Sequence, residues 1–254
     1  MYNISADFTA SCRAGLRQAT EKCASLGIFD IDCGYDIGAC PLYEADGNTI
    51  EDMRCILIDS CARINSITLP EQPLLKDELK KFCRAAHLLG VRSVILPAGN
   101  FTDEDRLGYI KSVCRAASSF GIKTLFENRA DSLLCDNAAM TVLCALAEDG
   151  DIGFVFNPFE FVKKNHHPFF HMFYTSSLKN NIAMLRINDG LYNGSPTPLC
   201  GGNAEIKEMC SILLARSYDG YFSICPYYHE QKHGQGEDRY PDTLREFKAM
   251  LKMF

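Results

Sequence analysis

Apolar residues recur along this chain in two alternating rhythms. Stripes at helical spacing, such as Leu16, Ala19, Cys23 and Leu26, or Leu75, Leu79, Phe82, Cys83, Ala86 and Leu89, end at a glycine. Each is followed by a short, nearly continuous apolar run. A period of three to four residues marks one face of a helix, and a run of four to eight marks a strand buried on both faces. The glycine at the junction supplies the left-handed turn that stops a helix without a Cβ clash.

Read this way, strands are predicted over residues 2–8, 28–32, 65–70, 91–97, the run from Gly121 to Glu127, 152–156, 182–189 and 221–225. Helices with polar starts are predicted at Asn48 with Glu51, at Thr102 with Asp105, and at Asn203. Further helical patterns cover about 136–147, 169–178 and the C-terminal stripe Leu244, Phe247, Met250 and Leu251. Eight strands alternating with about eight helices predict an α/β fold, a (β/α)8 TIM barrel in one domain spanning residues 1–254. A doubly wound open sheet is the runner-up. No G-x-G-x-x-G turn follows the first strand, which weakens its dinucleotide-binding version.

Composition narrows the functional classes. A net charge of −6 argues against broad nucleic-acid or anionic-membrane binding. No run of about 18 apolar residues exists to span a membrane, and the first residues lack a secretory pattern, so a cytoplasmic location is expected. The thirteen cysteines are scattered without a C-x-x-C pair. Most sit at apolar helix or strand positions (Cys23, Cys83, Cys114, Cys144, Cys210), which reads as small buried hydrophobes in a reducing compartment.

In a parallel barrel, chemistry collects at the C-terminal strand ends. Here those ends carry Asp32, Pro70, Pro97, Glu127-Asn128-Arg129, Asn157-Pro-Phe-Glu160, Arg186-Ile-Asn188-Asp189 and Cys225. Pro198-Leu-Cys-Gly-Gly-Asn203 precedes the seventh helix, and Tyr218-Asp-Gly-Tyr221 leads into the last strand. This order resembles the xylose isomerase-like TIM barrels, a superfamily of sugar and sugar-phosphate isomerases and epimerases that also includes endonuclease IV-type repair enzymes. The resemblance covers residues 16 to 254.

The resemblance implies one divalent metal held by Glu, Asp, His and Glu at the ends of strands five to eight. Glu127 matches the first ligand, while Asn157, Arg186 and Cys225 stand at the other three. Asn offers one neutral oxygen, and Arg offers no acceptor and a permanent positive charge. No cofactor is therefore expected. Glu127 and Glu160 are the carboxylates left to hold Mg²⁺, Mn²⁺ or Zn²⁺. The endonuclease reading fails for want of histidines at Pro70 and Pro97.

The site implied is Glu127 as proton-transfer acid and base and Arg186 as electrostatic stabiliser, with Asp32, Asn128, Arg129, Asn157, Glu160 and Asp189 binding substrate. Arg129 and Arg186 could hold a carboxylate or phosphate, or pair internally with Glu127 or Asp189. Glu160 reads as a partner for Glu127 or as a solvated loop acid. Asp32 reads as a substrate-orienting acid or as an acceptor for loop backbone.

His166 and His167 lie among Phe159, Phe161, Phe169, Phe170 and Phe173, a set read as core or as an oligomer contact through residues 159–174. His229 and His233 are weaker candidates for a metal or acid–base pair. The expected activity is isomerisation or epimerisation of a sugar, sugar acid or sugar phosphate in carbohydrate metabolism, through a metal-free site. The alternatives are an inactive sugar- or anion-binding barrel, and a lyase or hydrolase on the same scaffold.

Overall fold

The computed structural model describes residues 2–96, 104–132, 152–169, 173, 181–226 and 239–254. Its strands are β1 (Asn3–Asp7), β2 (Asp30–Gly34), β3 (Asp36–Ile37), β4 (Cys40–Pro41), β5 (Arg63–Thr68), β6 (Ser93–Leu96), β7 (Lys123–Glu127), β8 (Ile152–Phe156), β9 (Ile182–Ile187) and β10 (Tyr221–Ile224). Eight parallel strands close into a barrel in the order β1-β10-β9-β8-β7-β6-β5-β2, and β3 with β4 forms a separate antiparallel pair. The barrel predicted from the alternating rhythm is the fold observed.

The residues pack as two compact units, one of 5–127 with 143–153 and the other of 1–4, 128–142 and 154–254. In the first, β1, β2, β5, β6 and β7 pair in parallel. Helices α1 (Thr9–Ala14), α2 (Leu16–Ser25), α3 (Gly47–Asp59), α4 (Lys76–Leu88) and α5 (Glu104–Ser119) follow the strands. Their stripes are buried as the spacing requires: Leu16, Ala19 and Cys23 on α2, Leu79, Phe82, Cys83 and Ala86 on α4, and Ile110, Val113, Cys114 and Ala117 on α5. Gly90 and Gly121 adopt φ of 70° and 69° after α4 and α5, a conformation nearly any other residue would strain to reach.

Four local details differ from the pattern-based expectation in this unit. The cap of α3 is Asp46, whose carboxylate accepts from Thr49 N at 2.8 Å, in place of Asn48 with Glu51. Strand β2 runs two residues later than 28–32, which puts Asp32 inside the ladder. Strand β5 begins two residues earlier than 65–70 and ends before Pro70. Helix α1 and the β3–β4 pair carry too few residues to show a period.

In the second unit, β8, β9 and β10 pair in parallel, with α6 (Pro158–Val162), α7 (Ile206–Ala215) and α8 (Tyr240–Leu251) beside them. The outer strand face is aromatic. Phe156 meets Phe161 and Phe173 at ring-centroid distances of 5.1 and 5.9 Å, and Phe222 meets Phe247 at 5.2 Å. Phe159, Phe161 and Phe173 are core residues. Asn203 does not cap α7. The cap is Glu205, at φ 52°, while Asn203 N donates to Gly190 O at 2.8 Å.

Pro97, the Thr102 cap, the helix over 136–147, most of 169–178, His229 and His233 lie outside the described residues. Among the described residues, no helix is long and apolar enough to cross a membrane.

The two readings of the α3 start predict different outcomes. Asp46→Ala should cost about 1 kcal/mol of stability through loss of the cap. Asn48→Ala should stay within about 0.5 kcal/mol, as surface changes do. Urea unfolding midpoints of the two variants measure the difference.

Candidate functional site

Side chains along a strand alternate between faces, so the residue facing a helix identifies its neighbours as facing the other way. In the first unit, Cys33 meets Cys12 of α1, with the two Sγ atoms 2.9 Å apart. Asp32 therefore points away from the helices. It is 1% exposed and accepts from Ser5 Oγ at 2.7 Å, Asn65 Nδ2 at 2.9 Å and Ser66 Oγ at 2.7 Å. The register shift between Ile31 and Asp32 explains how consecutive residues Asn65 and Ser66 both reach one carboxylate. Asp32 thus accepts from side chains of the neighbouring strands.

Glu127 is the last residue of β7 and is half-buried. Thr124 on the same strand hydrogen-bonds the Cys114 thiol of α5. By alternation Glu127 lies on the face opposite that helix. Asp7 ends β1 in register with Asp32, and its Oδ1 accepts from Thr9 N and Oγ1 at 3.1 and 2.7 Å.

In the second unit, the residues just past three strand ends form a chain of amides. The Asn128 side chain donates to Asn157 O and accepts from Asn157 N, both at 2.7 Å, standing in for a further rung of ladder. Asn188 Nδ2 in turn donates to Asn157 Oδ1 at 3.1 Å. Two residues back on the same face of β9, Arg186 is 3% exposed, and its Nη1 donates to Ser223 Oγ at 2.9 Å. Ser223 is its register partner on β10.

Asp189 Oδ1 accepts from Gly190 N and Ala204 N at 2.8 and 2.9 Å, and Oδ2 accepts from Gly202 N at 3.1 Å. It thereby ties the loop before α7 to the end of β9. A Cβ on Gly202 would collide with Asp189 Oδ1, so this loop closes only around glycine.

Glu160 is not a solvated loop acid. It is 8% exposed on α6, accepts from Ala130 N at 2.8 Å and pairs with Lys163 Nζ at 2.5 Å. Arg129 pairs with Asp131 at 3.3 Å on the surface. His167 meets the Tyr192 hydroxyl at 3.1 Å, and His166 N donates to Phe161 O at 3.1 Å.

At the four positions where the resemblance implies metal ligands, the chain presents carboxylate, amide, guanidinium and thiol. Asn157 Oδ1 already accepts from Asn188, and a guanidinium repels a cation while offering no lone pair. This donor set does not fit a hard divalent cation. Among the described residues, no three His, Cys, Asp or Glu side chains come together as a metal site would require.

Sequence reading missed Ser5, Asn65, Ser66 and Ser223. Each is a small polar residue inside an apolar run, and period-2 alternation within predicted strands was the signal that could have marked them.

No family model matches the chain, and no curated protein matches it. Solved structures do resemble it. A xylose isomerase-like TIM barrel protein from Mycobacterium smegmatis, in complex with magnesium, is 13% identical with a TM-score of 0.74, covering 99% of this chain and 96% of that one. A probable 3-DHS dehydratase from Bacillus anthracis is 15% identical with a TM-score of 0.73, covering 98% of each. A D-allulose 3-epimerase from Methylomonas sp. is 11% identical with a TM-score of 0.71, covering 99% of this chain and 97% of that one. At these identities the likeness is one of fold.

The Asp189 staple gives a pH signature. Burial pushes its carboxyl above the ordinary range, and the backbone N–H donors pull it back only in part. A carboxyl raised in the folded state contributes stability below its unfolded pKa, and that contribution is lost as pH rises through the folded value. Measured by urea unfolding, the stability of the protein relative to Asp189→Asn should therefore fall as pH rises above about 4, the ordinary carboxylate value.

Proposed function

We propose that this protein is an isomerase or epimerase of a sugar, sugar acid or sugar phosphate that moves a proton without a bound metal. The observation that carries this reading is Arg186, a guanidinium buried on the inward face of β9 and held by Ser223 Oγ. A fixed cation in a site shielded from water stabilises developing negative charge, and its orientation is set before reaction. The fold is shared with solved sugar epimerases, which supports the substrate class.

In this scheme the Glu127 carboxylate removes the proton from the carbon next to the substrate carbonyl. The electron pair of the broken C–H bond forms the C=C bond of an enediolate, and the carbonyl π pair moves to oxygen. Arg186 stabilises that oxyanion. Return of the proton to the neighbouring carbon, with the hydroxyl proton passing to the former carbonyl oxygen so that the second oxygen becomes the carbonyl, isomerises the sugar; return to the opposite face of the same carbon, delivered by a second acid or by water, epimerises it. Asn128, Asn157 and Asn188 supply neutral hydrogen-bonding groups for hydroxyls, while Asp32, Glu160 and Asp189 hold the framework that presents them.

A second reading is a sugar- or anion-binding barrel without turnover. The replacement of three presumed ligand positions by Asn157, Arg186 and Cys225 is the observation that favours it. Incubation with aldoses, ketoses, sugar acids and sugar phosphates in deuterated water separates the two. Incorporation of deuterium at a carbon next to the carbonyl, reduced at least about 100-fold by Glu127→Gln, is expected for the isomerase. Ligand binding to the wild type with no incorporation would support the binding barrel.

A further inference from the structure

Two buried thiols face each other where the first helix meets the barrel. Cys12 lies on α1 and Cys33 on β2, and both are free and fully buried. Backbone bonds on either side of the pair hold α1 against the strand end. Phe8 N donates to Asp32 O at 2.9 Å, and Gly38 N donates to Cys12 O at 2.8 Å. The two Sγ atoms stand 2.9 Å apart. A disulfide is about 2.05 Å long, so a further approach of about 0.9 Å joins them.

As thiols the pair holds α1 weakly, because S–H is a poor donor and sulfur a poor acceptor. Helix α1 has six residues, and its N-cap, Phe8, makes no side-chain cap. A helix that short is stable only while docked, so it opens more readily than the barrel behind it. Its opening decides when chemistry can occur. In the docked state the Cys12 contact, burial and the Asp32 and Asp7 carboxylates push the Cys33 thiol well above its ordinary range. The thiolate is the attacking species in exchange, so the docked pair is inert. With α1 undocked, both thiols regain ordinary acidity and lie open to a small disulfide.

We propose that Cys12 and Cys33 are a modification site, oxidised by a low-molecular-weight disulfide to a bond that staples α1 to β2. The bond forms before α1 docks and is shielded afterwards, which reconciles oxidation with burial. With glutathione disulfide, one cysteine thiolate attacks a glutathione sulfur. A mixed S–S bond forms, the glutathione S–S bond breaks, and one glutathione thiolate leaves. The second cysteine thiolate attacks the first cysteine's sulfur and expels the other glutathione thiolate. The two cysteine protons pass to the departing thiolates, so the cysteines are oxidised and glutathione disulfide is reduced. None of this depends on the sugar reading.

The test refolds the full chain from urea with either glutathione disulfide or dithiothreitol. Remaining thiols are blocked with N-ethylmaleimide in denaturant, and peptides are mapped by mass spectrometry. Glutathione disulfide should give a Cys12–Cys33 linked peptide, and dithiothreitol should give both residues alkylated. The linked protein should melt about 5 °C or more above the reduced one, since the bond closes a loop between residues 21 apart. Protein folded in dithiothreitol, then exchanged into glutathione disulfide, should form the link at least about tenfold more slowly than the refolding chain. Cys33→Ala should abolish the shift in melting temperature, and the wild-type map keeps its meaning if that variant fails to fold.

Recovery of Cys12 and Cys33 as alkylated thiols after refolding with glutathione disulfide would overturn the proposal. Linkage of either residue to Cys23, the neighbouring thiol on α2, would do the same. Equal melting temperatures of linked and reduced protein would overturn the staple, and equal rates in folded and refolding protein would overturn formation before docking.

Discussion

A polar group shut away from water must find its hydrogen bonds within the protein, and this requirement organises the inward face of the strands. A typical barrel of this class fills that space with Val, Ile and Leu. Here Asp32 meets Ser5, Asn65 and Ser66, and Arg186 meets Ser223. An ionised carboxylate taken out of water costs several kcal/mol unless donors replace its hydration, and three donors at 2.7–2.9 Å are the kind of compensation that makes burial tolerable. The outward face obeys the opposite rule. Phe156, Phe161 and Phe173 gather with no polar group to satisfy.

The same requirement separates structure from candidate chemistry. Glu160 and Asp189 are the two acids that follow β8 and β9. Their oxygens accept backbone N–H groups that loops would otherwise leave unpaired, which ties both side chains into the framework. Arg129 is likewise engaged at the surface with Asp131. Under the proposed function, the chemistry falls to Glu127 and Arg186, with the asparagine chain beside them.

The barrel was legible because its evidence is repetitive. Each stripe-glycine-strand unit reinforces the next, and β8 spans the same residues, 152–156, that its apolar run marks out. Boundaries set by one side chain were less legible. Asn48 and Asp46 are both good helix starters, and only the position of Thr49 N decides between them. The site was least legible, since Asn65 and Ser66 reach Asp32 through a register shift that has no mark in the sequence. Asn188 stands in the sequence as a strand-end residue, but its bond to Asn157 joins side chains 31 residues apart and has no mark there.

At the centre of the account is the claim that a buried guanidinium occupies the role a divalent cation would otherwise fill. The most direct test is titration of the purified protein with Mn²⁺, followed by electron paramagnetic resonance, in parallel with Glu127→Gln. The account predicts no saturable site in either protein up to about millimolar Mn²⁺, the range of weak oxygen-donor sites. A one-to-one site in the wild type that vanishes in Glu127→Gln would contradict it.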